Sequence, residues 1–197
     1  MCLYLLTNTH MMIASNFFDM ANSSKVYLID RKRFIWGNVK PDCVPKYKLM
    51  KHYYDESIDM ILDKIRMLSS LSISDVFYNY GKNKFSEELG VICHFLCDYF
   101  CVPHSYRWEF KSYMKKHIFY EKALSKISKA YKPKAYCTTK VTIDNVEKFI
   151  VNAQARYRKR FGFKNDLDYS YFVCNSIINL ILNEVVKNEY SVMKRAV

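Results

Sequence analysis

Residues 89–104 read LGVICHFLCDYFCVPH, and the fold is decided by how this stretch is read. Leu89, Val91, Ile92, Phe95, Leu96, Tyr99 and Phe100 place apolar groups on most sides of a helix, so the helix belongs at the centre of a bundle. Ser86 is positioned as its N-cap, with Glu87 and Glu88 in the electropositive first turn, and Pro103 ends it, which predicts a span of 87–101. Two polar residues interrupt the apolar surface. His94 and Asp98 are four apart, hence on one face and one above the other. A carboxylate buried there without a partner is costly. A metal ion would supply the partner and orient the imidazole; a hydrogen-bonded His–Asp pair without metal would do the same.

Outward from this helix the chain again reads as helical. A first helix is expected over 4–21, with Leu5, Leu6, Ile13 and Phe17 on its apolar face, and a break at Asn22-Ser23-Ser24. The run FIWGNVKPDCVPKY (34–47) holds one Gly and two Pro and is expected to be a stiff loop. Ile58, Ile61, Leu62, Ile65 and Leu68 predict a helix over about 48–69, and Gly81-Lys82-Asn83 a turn. Further helices are expected at about 105–130, 142–160 and 168–189, with KPKAYCTT (132–139) as a loop, Thr139 or Thr142 as a cap and a break at Gly162. With 197 residues, 4 Gly and 4 Pro, an all-α fold in one domain over residues 1–197 is the expectation.

Seven cysteines are an odd number, and Cys93, Cys97 and Cys101 recur every four residues on one helical face. That is a poor disulfide framework, and it lacks the CxxC spacing of structural zinc sites, so buried reduced thiols are expected. The opening MCLYLLTNTHMMIASN shows no basic n-region and no small-residue cleavage pattern, and no apolar stretch is uninterrupted enough to span a bilayer. The expected location is cytoplasmic, with peripheral membrane contact open.

The histidines extend the His94–Asp98 pattern. His117 precedes Glu121 by four, His52 precedes Glu56 by four, His104 follows Pro103, Asp42 follows Pro41, and His10 lies on the first predicted helix. Nitrogen and oxygen donors in this number suit zinc and exceed what one tetrahedral ion can use. Two or more ions about 3.5–4 Å apart would clamp the attacking and leaving oxygens of a phosphoryl centre.

The string His94-x3-Asp98-x5-His104, followed by His117-x3-Glu121, resembles the ligand string of the zinc-dependent phospholipase C family and its single-strand-specific nuclease relatives. The likeness extends to His10 in TH-x2-IA, Asp42 in GNVKPD and His52 in KHYYDES, across residues 9 to 121. It implies an all-helical, phospholipase C/nuclease-like fold around two or three zinc ions. On that pattern Asp42, His52, His94 and Asp98 would hold one zinc. His104, His117 and Glu121 would hold a second, and Asp98 would bridge to a third that also takes His10. Members cleave phosphodiesters by attack of water on phosphorus, and Asp42 is the expected orienting or deprotonating carboxylate. Secreted members complete the third site with a processed N-terminal tryptophan. MCLYLLTNTH departs from this, so the third site is expected to be weaker, empty or completed by another group such as Asp19 or Asp59. The resemblance gives Glu56 no metal, leaving it as an exposed partner of His52.

The formal net charge is +12, and residues 107–163 carry 15 Lys or Arg against four acids. Arg156, Arg158, Lys159 and Arg160 interleave with Tyr157 and Phe161. Such a face attracts polyanions and anionic headgroups alike, or merely keeps the protein soluble. The expected substrate is an anionic phosphodiester, a phospholipid before a nucleic acid. A nuclease or nucleotidase on the same core and a catalytically silent metal-binding module are the alternatives. Trp36 and Trp108 flank the ligand-bearing segments, either as packed aromatics or as cleft walls.

Overall fold

The computed structural model describes residues 3–20, 24–48, 51–108, 110–133 and 141–195. In chain order it contains α1 (Leu3–Met20), a 3-10 turn (Val26–Leu28), α2 (Arg31–Cys43), α3 (Pro45–Lys48), α4 (Tyr54–Ser69) and a π-helical turn (Asp75–Asn79). Then come α5 (Lys82–Tyr99), α6 (Val102–Ser105), α7 (Phe110–Ser128), a second 3-10 turn (Ile143–Asn145), α8 (Val146–Tyr157) and α9 (Phe163–Arg195). The described residues contain no strand, and the fold is all-α. None of their helices is long and apolar enough to cross a membrane.

Helix α5 is the axis. Every residue from Leu89 to Pro103 is buried, and α1, α2, α4 and α9 pack around it. Leu89, Ile92, Phe95, Leu96 and Phe100 are fully enclosed, each contributing roughly 1.5–3 kcal/mol of hydrophobic stabilisation. Cys93, Cys97, Cys101 and Cys174 are buried free thiols, with Cys97 Sγ 3.7 Å from Cys174 Sγ. Ile13 and Phe17 belong to this core. The side chains of Leu5 and Leu6, the residues Asn22 and Ser23, and Thr139 with most of the 132–139 loop lie outside the described residues. Thr142 forms a capping box with Asn145.

The segment expected to be a loop, 34–47, is instead mostly helix. Asp30 caps α2 by accepting from Arg33 N at 2.8 Å. Pro41 is tolerated because it falls in the last turn, where it forfeits one hydrogen bond to the Gly37 carbonyl. Gly37 does not serve as a turn residue. A Cβ built on it would meet Glu87 O at 2.1 Å, and one on Gly90 would meet Phe34 O at 2.3 Å. The two glycines thus let α2 and α5 cross backbone to backbone. Ser86 is not the N-cap either. Helix α5 begins five residues earlier than predicted, after Gly81, whose φ of 92° suits glycine. Ser86 lies inside it, donating to Lys82 O and accepting from Asp30 N at 2.8 Å, so it ties the start of α2 to α5. Helix α4 starts at Tyr54, leaving His52 in the preceding extended stretch, and α7 starts at Phe110.

Replacing Gly37 or Gly90 by Ala forces backbones apart rather than displacing a flexible side chain. Either substitution is expected to cost about 2–3 kcal/mol or more, read as a lower chemical-denaturation midpoint. A change within about 0.5 kcal/mol would show that the crossing is looser than the structure has it.

Candidate metal centre

Six separate segments converge on one point. His10 comes from α1, Asp42 from the last turn of α2, and His52 from the stretch before α4. His94 and Asp98 sit one turn apart on α5, His104 on α6, and His117 and Glu121 one turn apart on α7. Asp98 is the hub and is 3% exposed. Its Oδ1 lies 3.3 Å from His10 Nε2 and 3.7 Å from His104 Nε2. Its Oδ2 lies 2.9 Å from His52 Nδ1 and 3.3 Å from His94 Nε2.

The eight expected residues fall into three groups whose donor atoms lie within 4.8 Å of one another: His10, His94 and Asp98; Asp42, His52 and His94; His104, His117 and Glu121. This spacing and donor chemistry fit zinc. So do the details. His94 Nδ1 is 2.8 Å from the Asn38 carbonyl, an arrangement in which Nδ1–H donates and Nε2 keeps its lone pair for a metal. Glu121 presents Oε1 to His117 Nε2 at 2.7 Å and to His104 Nε2 at 3.2 Å, while its buried Oε2 has no protein partner. His94 Nε2 and His52 Nδ1 stand 3.2 Å apart, a distance at which two protonated rings repel and a shared cation would not.

The electrostatics follow from crowding. Burial alone would raise Asp98, but the imidazoles of His104, His94 and His10 hold its carboxyl well below the usual range. Burial opposes charge on His10, as does His94, yet Asp98 outweighs both and pushes it up to about 9. Glu121 is driven down to about 2: burial works against this, and contact with His104 and His117 prevails. Burial opposes charge on His104 and His117 as well, yet Asp98 and Glu121 raise both, so a metal would compete with protons for this cluster.

Several residues could not be read from spacing. Asp166, in the first turn of α9, is 1% exposed. It accepts from Tyr120 Oη at 2.8 Å, Tyr157 Oη at 2.9 Å and Val102 N at 3.2 Å. It thereby ties α9 to the start of α6, which bears His104, and to α7 beside Glu121. The only sequence signal for it is an acid set among Leu167, Tyr169 and Tyr171. Asp166 also lines a cavity of about 20 Å³ with Thr9, His10, Cys97, Asp98 and Glu121, which is room for one water. Other expectations shift. Among the described residues Glu56 pairs with Arg107 at 3.2 Å and Lys51 at 3.6 Å and not with His52. Asp59 is exposed and belongs to none of the three groups, and the Asp19 side chain lies outside the described residues. Trp108 packs edge-on against Tyr120 under Lys116, whereas Trp36 is exposed on α2.

A family model described as zinc dependent phospholipase C matches residues 9–162. No curated protein and no solved structure matches this chain.

With Nδ1 committed to Asn38, His94 can offer a metal only Nε2, yet it stands in two of the three groups. If it serves beside Asp42 and His52, the third group keeps only His10 and Asp98. Metal analysis after mild dialysis is therefore expected to return two zincs per chain, with a third at higher free zinc. Three retained zincs would overturn this.

Burial lifts Asp166 from 3.8 to about 6, against the pull of its three hydrogen bonds. Its folded pKa lies above its unfolded value, so the folded state binds the extra proton. The associated stability is present at low pH and is lost as pH rises through about 4 to 6, about 3 kcal/mol in all. Asp166→Asn should lack this dependence. Its unfolding free energy, measured beside wild type at equal zinc, should gain on wild type between pH 4 and pH 7, and a constant difference would contradict the assignment.

Proposed function

The chain belongs to the zinc dependent phospholipase C family, and on that footing we propose that it is a zinc-dependent phosphodiester hydrolase of the phospholipase C type. It would release a phosphorylated headgroup from a phospholipid and leave diacylglycerol. The observation that carries this reading is the convergence of imidazoles and carboxylates from six segments around Asp98. Bound zinc ions supply Lewis acidity toward phosphoryl oxygens and lower the pKa of water.

The protein's own groups set the rest of the chemistry. Asn38 fixes the tautomer of His94. Asp98 stays ionised among the histidines and holds their rings in register. Asp42 is the most open carboxylate of the cluster. Its side chain is 19% exposed, with Oδ1 3.7 Å from His94 Nε2 and 3.9 Å from His52 Nδ1. A carboxylate at the mouth of the site can orient an entering water and accept its proton, the task assigned here to Asp42. Arg107 reaches over Tyr53, whose ring lies 6.3 Å from that of His104, and its ion pairs with Asp55 and Glu56 brace this edge of the site. With metal held by these residues, the imidazoles would serve as neutral ligands and the ions would supply the positive charge that an anionic phosphodiester meets.

The charge of +12 also favours a second reading, a nuclease or nucleotidase on the same core. The two part on substrate. Zinc-loaded protein is expected to release phosphorylated headgroup from phospholipid vesicles and to leave single-stranded DNA intact; the reverse pattern would establish the nuclease. Silence on both would leave a metal-binding module. Asp42→Asn is expected to lower kcat about 10²–10⁴-fold while zinc content falls little. Activity lost only in proportion to lost zinc would make Asp42 a ligand and nothing more.

A further inference from the structure

The last turn of α8 and the loop leading to α9 form an exposed basic and aromatic tip. Arg156, Arg158, Lys159 and Arg160 are all exposed. Among the described residues none of these four cations forms an ion pair. Phe161 is 62% exposed, and its ring packs at 4.9 Å on Tyr106, itself 40% exposed. Gly162, at φ 128°, turns the chain just after Phe161 and leaves it projecting. Tyr106 is two residues beyond His104, and its hydroxyl donates to Arg158 O at 3.4 Å, so the tip adjoins the metal centre. Between α8 and α9 three of these cations border an open depression of about 550 Å³, lined by Arg156, Lys159, Arg160, Asn165, Tyr169 and Phe172. One acid, Asp168, also lines it. Its carboxylate is taken up by Lys164 at 2.9 Å and by the Tyr131 hydroxyl, so it does not cancel the cations.

We infer that this tip is a docking surface for an anionic phospholipid bilayer, with Phe161 and Tyr106 entering the headgroup boundary and the Arg156–Lys159–Arg160 depression taking a lipid phosphate. Aromatic side chains with basic neighbours are the composition that sits at a lipid–water boundary. Unpaired cations beside the site would hold the metal centre against its substrate surface. A single strand of nucleic acid is disfavoured. Successive bases stack on separate ring platforms, whereas Tyr106 and Phe161, tilted at 42° against each other, form one joint apolar projection. The inference rests on the phospholipid reading given above and adds to it where and how the lipid surface is met.

The test separates binding from turnover. Zinc-loaded protein is mixed with vesicles of phosphatidylcholine alone and with vesicles containing about one-third phosphatidylserine, and bound protein is measured by sedimentation. Selective binding to the anionic vesicles, weakened by salt, is expected. Each cation contributes roughly fivefold near such a surface, so Arg158→Gln/Lys159→Gln/Arg160→Gln together should lose roughly a hundredfold. Phe161→Ser should also bind less. Both variants should keep the wild-type rate on a water-soluble short-chain phosphodiester. Equal binding of wild type to both vesicle types, or undiminished binding by the triple variant, overturns the inference, as does tighter binding of single-stranded DNA at the tip. Absence of turnover on the soluble substrate, with vesicle binding intact, overturns the hydrolase reading and leaves the docking surface standing.

Discussion

A carboxylate at the centre of an apolar helix is the constraint on which the rest of this structure depends. Asp98 is removed from water on a segment where every neighbour from Leu89 to Pro103 is also buried. An unpaired charge there would cost several kcal/mol. It is tolerated because four histidines from four other positions turn ring nitrogens toward its two oxygens. That solution creates its own difficulty, since imidazoles 3.2 Å apart cannot all carry protons comfortably. A divalent cation held by these residues would answer both problems at once, balancing the carboxylates while the imidazoles serve as neutral ligands. The groups that stabilise the helix and the groups that would hold metal are the same groups.

Keeping donors from six segments within 4.8 Å of one another demands rigid supports. The half of the site that includes Asp42 and His94 is held by the α2–α5 crossing. Gly37 and Gly90 allow the approach, and Ser86 bonds the α5 interior to the first turn of α2. Lys40 adds an ion pair with Glu87 at 2.5 Å near the same crossing. The half that includes His104 and Glu121 is held by Asp166, which gathers Val102, Tyr120 and Tyr157 on a single buried carboxylate. Two buried acids therefore divide the labour. Asp98 faces the metal side, and Asp166 braces the scaffold behind it.

What spacing could reveal was local. His94–Asp98 and His117–Glu121 were legible as pairs because four residues on a helix always bring side chains together. The apolar surround of Phe95, Leu96 and Tyr99 marked their helix as central. The extent of α2 was not legible, since Gly37 and Pro41 carry breaker propensities that close packing on α5 overrides. Ser86 looks like a cap by identity, but Gly81 supplies the left-handed residue from which the helix starts. Asp166 gave almost no signal. Its partners lie 9, 46 and 64 residues away, and nothing in a linear pattern links them. The pairing of Glu56 with Arg107 was hidden for the same reason, because it joins residues brought together only by the tertiary fold.

The distribution of pairing also separates two kinds of positive charge that look alike in the sequence. Arg107 is committed to Asp55 and Glu56, Lys40 to Glu87, and Lys64 to Glu88, so these cations are part of the scaffold. The cations at 158–160 are committed to nothing among the described residues, although acids are available elsewhere on the surface. Like charges packed this closely repel one another, and surface screening over about 8–10 Å does not remove the repulsion between adjacent residues. A cluster of this kind is a standing cost to the isolated protein. The cost falls when an anionic surface approaches, and it falls in the same place where exposed aromatic rings gain by leaving water. Charge and apolar area therefore act in the same direction on one side of the metal centre, whereas a face serving solubility alone would have no use for the rings.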